Sequence, residues 1–130
     1  MNLVAEFRIN KSSRCLLAPT YDKDPNAYFL LLEILAISDT KGFQEFSIEL
    51  AERWMKKYNA QPHWAKLWEY VPNVIPHVKR FLSVDNRLNR FEKVRAKYDP
   101  EEYFFDNKSL REIFGKDVNE MSIKERFCDS

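Results

Sequence analysis

A short stretch of the chain, "AQPHWAKLWEYVP" at residues 60–72, concentrates side chains that can bind a ligand. Within it an imidazole, an indole and an ammonium group stand close together at His63, Trp64 and Lys66. Such a set can form the wall of a binding site, where an aromatic ring covers a ligand and a cation stabilises its negative charge. The same residues also suit the end of a core strand with ordinary charged neighbours, and the pattern alone leaves both interpretations open.

The proline that precedes the histidine predicts an extended conformation for this segment, because proline disfavours a helix before it. In an extended chain His63 and Ala65 share one face, and Trp64 and Lys66 share the other. A lysine beside a tryptophan on a covered sheet face is costly unless a negative group lies opposite. Glu6 is one candidate for that negative group.

Residues 3–9 have the two-residue period of a β-strand. Leu3, Ala5, Phe7 and Ile9 fall on one face, and Val4, Glu6 and Arg8 on the other. Glu6 and Arg8 therefore point to the same side of the strand, roughly 6–7 Å apart along it. In a cleft, the guanidinium could donate fixed hydrogen bonds to an oxygen that gains charge. A solvated strand face is the alternative interpretation of this pair.

Other kinds of chemical site lack the residues they need. The histidines and cysteines do not have the spacing of zinc ligands, so no metal site is predicted. Two glycines cannot make a glycine-rich phosphate loop, and no nucleophile motif is present. The residues concerned are His63, His77, Cys15, Cys128, Gly42 and Gly115.

Residues 77–97 carry seven Lys or Arg against Asp85 and Glu92. A basic amphipathic helix can bind nucleic acid or an anionic membrane surface. Core packing accounts for the apolar stripe of this stretch, however, so a solvated basic face is the favoured interpretation. We predict no nucleic-acid partner, and peripheral membrane association stays open.

The composition describes a folded chain without a strong overall charge. Of 130 residues, 45% are hydrophobic and 15% aromatic, which allows a sizeable core. The 21 basic and 20 acidic residues nearly cancel, which argues against a protein built around nucleic acid. No apolar segment approaches the ~18 residues that suggest a membrane span. Glu6 and Arg8 interrupt the opening where a signal peptide is apolar, and two cysteines make no disulfide framework, so we expect a cytoplasmic or mitochondrial location.

The elements expected to position these residues begin with strands. "CLLAPTYDKDPN" is interpreted as a short strand that runs into a loop, and "AYFLLLEILAIS" as a strand covered on both faces. A helix is predicted from near Gly42, with Asp39 and Thr40 as possible caps. Its apolar stripe is expected at Phe43, Phe46, Leu50, Trp54 and Tyr58.

A second long helical stretch is predicted to end at Asp99, before a proline, and "SLREIF" forms a last short helix. The predicted order of strand, strand, helix, strand and helix, with the segment at 61–68 as the third strand, indicates an α+β fold in which an antiparallel sheet has helices packed on one face. The apolar side of the second helical stretch is expected at Phe81, Val84, Leu88, Phe91, Val94 and Tyr98.

From about Val4 to Phe114 the sequence resembles the C-terminal part of the aldonolactone oxidases, the FAD-linked sugar-lactone oxidases and dehydrogenases that make ascorbate or its relatives. Here "VAEFR" is similar to the family's V-E-x-R strand, "LLAPTYDKD" to its LLSPxYxRD and "QPHWAK" to its RPHWAK. Residues 95–110 resemble the closing R-x-x-x-DPxxxFxNxxL pattern. Each motif alone is weak, but four in order with similar spacing are strong.

The resemblance implies that the chain is part of the substrate (cap) domain, whose sheet covers the reactive face of the flavin. Arg8 and Lys66 would then be catalytic, stabilising negative charge on a substrate oxygen or on reduced flavin. Glu6 would bind sugar hydroxyls and orient Arg8. Lys66, Trp64 and His63 would lie against the cofactor or support it.

The family's FAD-binding domain, with its phosphate loop, has no counterpart in the sequence. The resemblance therefore implies residues 1–114 as a partial substrate domain, with 115–130 as a charged C-terminal tail. This partial domain would oxidise a sugar 1,4-lactone only together with an FAD-binding domain or subunit that holds the FAD. The alternative is a remnant without catalysis that acts as a binding or assembly module.

Overall fold

The computed structural model describes residues 3–37, 40–103 and 107–114. Within this part of the chain a two-stranded antiparallel sheet is followed by four α-helices, which confirms the predicted α+β class. The predicted tail, residues 115–130, lies outside the described residues. The strands are β1 (Leu3–Lys11) and β2 (Tyr28–Ala36), and the helices are α1 (Phe43–Tyr58), α2 (Val74–Ser83), α3 (Arg87–Tyr98) and α4 (Lys108–Phe114).

The register of the hairpin decides which side chains share a face. Glu6 lies opposite Glu33, and Arg8 lies opposite Leu31. Because successive side chains alternate, all four point to the same side of the sheet. We call this side the charged face; the opposite side, the apolar face, carries Ala5, Phe7 and Ile9 from β1 and Tyr28, Leu30, Leu32 and Ile34 from β2.

Only one side of β2 is partly covered along its first half. Phe29, Leu31 and Glu33 are half-buried on the charged face, whereas Tyr28 and Leu30 are exposed on the apolar face. The prediction that this strand is covered on both faces is therefore wrong for the described residues. A strand is buried on both faces only where another layer packs on each of them. No described element covers the apolar face.

The segment between the strands is a loop, residues 12–27, which we call the linking loop. A hydrogen bond from the Ser12 N–H to the Ala27 carbonyl (2.9 Å) closes its base. An isolated parallel bridge joins Ser13 to Tyr21 inside it. The short strand predicted at "CLLAP" is replaced by turns, because the nearby prolines cannot donate to a ladder.

The core lies among the helices and the turn that precedes α2. Helix α2 is its centre, since α3 and α4 both pack against α2. No described residue of either strand belongs to the buried cluster, so the sheet is joined to the helices mainly through loops. The buried apolar residues are Trp68, Val71, Val74, Val78, Leu82, Ile113 and Phe114.

The second helical stretch is not continuous, in contrast to the prediction. A 3-10 turn at Val84–Asn86 separates α2 from α3, and Asp85 and Asn86 there have φ angles of 57° and 55°. Two adjacent left-handed residues without glycine need support from elsewhere in the fold. The linking loop provides it, because the Tyr21 hydroxyl donates to Asp85 (3.1 Å) and Lys23 pairs with the same carboxylate.

A buried arginine completes this junction. The Arg87 side chain is fully buried, and its guanidinium donates to the carbonyls of Val84 (3.2 Å), Leu16 (3.3 Å) and Phe81. It also stacks on the Tyr21 ring, with 3.9 Å from the guanidinium carbon to the ring centroid. Arg87 thus fixes the linking loop to the end of α2.

The apolar stripe predicted for this stretch is only partly correct, since Phe81, Leu88 and Phe91 pack against the core cluster. Val84, Val94 and Tyr98 are exposed, whereas Leu82 and Arg87 are fully buried. A continuous helix would have kept one angular phase from residue 81 to 98, but the left-handed turn resets it.

Helix α1 occupies the predicted position, but its stripe is only partly correct. Tyr58 is exposed, and Trp54 is half-buried outside the core cluster. Ala51 and Met55 make the contact with the core instead. α1 therefore contacts the core through fewer residues than the predicted stripe contains.

Candidate active site

The hairpin gathers three charged side chains on its charged face. Glu6 and Arg8 come from β1, as the alternation predicted, and Glu33 comes from the middle of β2. Arg8 Nη2 lies 4.0 Å from Glu33 Oε2. The described residues contain no ion pair between Glu6 and Arg8, so the carboxylate that holds the guanidinium is Glu33.

The fourth charged residue reaches this face from the motif at 61–66. Lys66 Nζ lies 2.5 Å from Glu33 Oε1, although the two residues are 33 positions apart in the sequence. Glu33 therefore holds Lys66 on one carboxylate oxygen and Arg8 on the other. The structure thus brings together the two cations that the sequence predicted to be catalytic.

The motif itself forms a turn and not an extended segment. The Lys66 N–H donates to the His63 carbonyl (3.0 Å), and the Ala65 N–H donates to His63 Nδ1 (3.2 Å). The faces predicted for an extended chain are therefore wrong: His63 contributes to the electrostatic environment of Glu33 together with Lys66. The proline governs the residue before it but does not prevent a turn after it.

Trp64 points away from the charged face and into the helical core. Its indole N–H donates to the Leu17 carbonyl of the linking loop (2.6 Å), and its ring packs edge-on against Trp68 with 5.8 Å between centroids. Trp64 packs against the buried cluster. In this position it anchors the motif to the linking loop and so fixes where Lys66 can reach.

The charged face is open to solvent, with Glu33 as its least accessible charge. The Glu33 side chain is 28% exposed, compared with 58% for Lys66 and 71% for Arg8. The hydrogen bond from Lys66 lowers the pKa of Glu33, partial burial opposes this, and Arg8 and His63 lower the pKa further. Glu33 is therefore a carboxylate at neutral pH.

The pairing of Glu6 opposite Glu33 is unfavourable when considered alone. Like charges directly opposite each other destabilise an antiparallel pair. Lys66 and Arg8 offset that repulsion by bringing two positive charges to the same face. Local rules of this kind are broken mostly at functional sites, which makes this face the best candidate for one.

Sequence reasoning missed Glu33, although a signal was present. Glu33 is the single charged residue within the apolar run at residues 27–38, apart from which the run is apolar or small. A carboxylate in an apolar run that is expected to be covered is costly without a cationic partner, so the sequence favoured the presence of one. The identity of that partner depends on contacts between segments far apart in sequence.

Behind the motif lies a second polar cluster, centred on the buried His77. Arg80 Nη2 is 3.0 Å from His77 Nδ1, and since arginine can only donate, Nδ1 accepts. His77 Nε2 then carries the proton and donates to the Ala60 carbonyl (2.8 Å). Gln61, where the family commonly has arginine, lies beside this ring, and its amide nitrogen donates to the Asn59 carbonyl (2.7 Å).

The environment of His77 predicts a loss of stability in mild acid. Burial lowers the pKa of His77, the hydrogen bond to Ala60 raises it, and Arg80 lowers it, with a net lowering. The fold therefore favours the neutral ring, so stability is full above the ordinary histidine pKa of about 6.5 and falls as the pH drops below it. Urea unfolding between about pH 7 and about pH 5 should show this fall.

A matched pair of variants checks that prediction. His77→Gln should flatten the dependence of unfolding free energy on pH, whereas His63→Gln should keep it because His63 is exposed. Equal slopes in the wild type and in His77→Gln would show that His77 does not carry the effect.

The family resemblance implies FAD as the cofactor, and the described residues suit its flavin ring but not its pyrophosphate. Lys66 and Arg8 are donors that suit an electron-rich ring edge or an anionic oxygen. A pyrophosphate needs a loop of backbone N–H groups, usually rich in glycine. Gly42 is the only glycine among the described residues, and it forms the N-terminal cap of α1. Among the described residues, therefore, no glycine-rich loop is present to bind a pyrophosphate.

The basic stretch at residues 77–97 is partly used inside the fold. Arg87 is buried, and Arg95 pairs with Glu92 (2.7 Å) and with Glu102 (3.1 Å). Arg80 donates to His77. The basic residues of this stretch without such a role are Lys79, Arg90, Lys93 and Lys97.

The described residues form neither a membrane-spanning helix nor a metal site. No helix among them has the length and apolar character to cross a membrane. No group of three or more His, Cys, Asp or Glu side chains among them is arranged to hold a metal ion.

Comparison with known proteins gives a family for the chain. Searches of curated proteins and of solved structures gave no significant match. A model of the family described as D-arabinono-1,4-lactone oxidase matches residues 4–113 of the 130. The matched range contains the hairpin, the linking loop and the motif that carries Lys66. The chain therefore belongs to the D-arabinono-1,4-lactone oxidase family.

Proposed function

We propose that this chain is the substrate-binding, C-terminal portion of a flavin-dependent sugar 1,4-lactone oxidoreductase. One observation carries the proposal: in a member of this family, Lys66 and Arg8 meet at Glu33 on the charged face, the face that also carries Glu6. Two donors and two carboxylates on one open face suit a ligand rich in hydroxyl groups, since each hydroxyl both donates and accepts.

Oxidation of a hydroxyl-bearing carbon removes a hydride from carbon and a proton from oxygen, and on this solvent-open face the proton would pass to water. When bound, FAD supplies the acceptor for that hydride. Arg8 and Lys66 would stabilise the negative charge that develops on the substrate oxygen, because both are permanent donors at neutral pH. Their common partner Glu33 pairs closely with Lys66 (2.5 Å) and lies 4.0 Å from Arg8, so it would attract both cations to one place before the substrate arrives.

The remaining residues have roles in binding and orientation. Glu6 would accept hydrogen bonds from sugar hydroxyls, since it has no ionic partner among the described residues. His63 is exposed beside Lys66 and would contact the substrate or the cofactor. Trp64 would act through position only, by anchoring the motif to Leu17.

The cofactor must be held elsewhere, because the described residues offer no pyrophosphate cradle. We therefore include in the proposal an FAD-binding domain, on a separate chain or in a longer parent protein. The partner would bring the flavin to the charged face, and the lactone would lie between them.

The variant Lys66→Met tests this function in the complex with its flavin partner. Loss of one charge-stabilising donor should slow reduction of the flavin by D-arabinono-1,4-lactone by about 10²-fold or more. Folding should change little, because an exposed ion pair contributes at most about 1 kcal/mol. Anaerobic stopped-flow absorbance measures the first quantity and thermal unfolding the second.

Lys56→Met provides the control, since Lys56 is an exposed lysine in the last turn of α1. It should leave flavin reduction unchanged. If Lys66→Met reduces the flavin at the wild-type rate, Lys66 has no catalytic role and the proposal loses its main support.

One observation favours a second candidate, a binding module without catalysis. The apolar face of the hairpin is exposed, including Phe7, Ile9 and Leu30. Exposed apolar surface of this kind is typical of an interaction site. Such a module would bind its partner without flavin and would be indifferent to Lys66→Met.

A further inference from the structure

Glu33 is the feature of the charged face that packing does not explain. Its neighbours on the same side of β2, Leu31 and Leu35, are apolar. A third apolar residue between them would avoid both the desolvation of a carboxylate and its repulsion from Glu6. The carboxylate must therefore be explained by what it does to the charges around it.

The charges of the face sum to zero only because Glu33 is present. Arg8 and Lys66 contribute two positive charges, and Glu6 contributes one negative charge. With Glu33 in contact with both cations, the balance is two against two. Without it, the face would carry one net positive charge beside the exposed imidazole of His63.

That balance bears on the two forms in which a sugar lactone exists in water. Hydrolysis opens the neutral ring to an aldonate, which keeps every hydroxyl group, gains one more at the carbon that carried the ring oxygen, and acquires one negative charge as its new carboxyl group releases a proton. A face with one free cation would attract the aldonate. On the observed face, a carboxylate ligand would meet Glu6 and Glu33 and would have to separate Lys66 from its partner.

We infer that Glu33 is a specificity-determining residue that excludes the open-chain aldonate and keeps the charged face for the neutral lactone. The inference rests on the proposed function, because it takes the lactone as the ligand of this face. Glu33 acts through net charge and through its hold on Lys66 and Arg8. It need not touch the reacting carbon, so it is a positioning and selectivity residue.

The test compares two ligands on the full chain in complex with its flavin partner. D-arabinono-1,4-lactone and its hydrolysis product, the open-chain acid, are titrated against the wild type and Glu33→Gln. Their dissociation constants are measured from perturbation of the flavin absorbance and, independently, from the NMR signals of His63 and Lys66. Glutamine keeps the size of the side chain and removes only the charge.

Glu33→Gln should tighten binding of the aldonate by about fivefold or more, since one unit charge a few ångströms away has about this effect even in water. The ratio of lactone to aldonate affinity should fall accordingly, and added salt should reduce the gain. Glu49→Gln on α1 is the control: it makes the same change in net charge at an exposed residue of another element.

An unchanged affinity ratio in Glu33→Gln, or an equal change in Glu49→Gln, overturns the inference while leaving the proposed function intact. If the wild type neither binds nor oxidises the lactone, the proposed function fails and the inference fails with it. Thermal unfolding of each variant shows that the comparison is made between folded proteins.

Discussion

Replacement of Arg87 by alanine is expected to destabilise the protein by at least about 3 kcal/mol, a large part of the stability of an ordinary domain. The change removes a fully buried side chain and leaves a cavity between the linking loop and α2. It also leaves the carbonyls of Leu16, Phe81 and Val84 without their donor. An acceptor left unpaired costs about 1–3 kcal/mol where it is buried, and less where water can reach it, as at the exposed residue Val84.

Urea unfolding followed by tryptophan fluorescence measures this loss, and two further variants define its cause. Arg90→Ala makes the same change at an exposed position of α3 and should alter stability by no more than about 0.5 kcal/mol. Arg87→Lys should be intermediate, because a single ammonium cannot reproduce the fork of a guanidinium. Equal unfolding midpoints for Arg87→Ala and Arg90→Ala would contradict the role given to Arg87.

The second large effect concerns catalysis. Arg8→Ala, in the complex with the flavin partner, should lower kcat for lactone oxidation by about 10²–10³-fold, the usual cost of losing a donor to a developing oxyanion. The side chain lies on the surface and is held by Glu33 at 4.0 Å, so its removal should leave the fold intact. Steady-state kinetics and a melting curve separate the two expectations.

Arg53→Ala is the matched control for this change. Arg53 is an exposed arginine of α1 that is paired with Glu49 (3.3 Å), so it resembles Arg8 in exposure and pairing but lies outside the charged face. It should keep full activity. An Arg8→Ala enzyme that turns over at the wild-type rate would remove Arg8 from the mechanism.

Much of the local structure follows from patterns within single segments. The alternation at residues 3–9 placed Glu6 and Arg8 on one face, because side-chain direction in a strand depends only on position parity. The three- and four-residue spacing of apolar residues located α1 for the same kind of reason. These predictions needed no information from distant parts of the chain.

The parts that were predicted wrongly depend on contacts between distant segments. The break at Asp85 and Asn86 is held by Tyr21 and Lys23, more than 60 residues earlier in the sequence. A helical pattern within residues 81–98 contains no trace of that support. The exposure of β2 likewise depends on which other layer covers it, and a strand's own sequence does not specify this.

The candidate site combines both kinds of information. Its cations, Arg8 and Lys66, were predicted from spacing and from the family resemblance. Glu33, the residue that brings them together, was visible only as a lone charge in an apolar run. The turn from His63 to Lys66 also had to be known before the direction of Lys66 could be assigned.

If this chain forms one side of a flavin-dependent lactone oxidase, a visible absorbance spectrum shows it most directly. The chain is purified from its own source under native conditions, the spectrum is recorded, and D-arabinono-1,4-lactone is then added without oxygen. We expect flavin absorbance that co-purifies with the chain and bleaches when the lactone is added. A folded chain that is colourless, alone or with a colourless partner, would contradict the proposed function and favour the binding module.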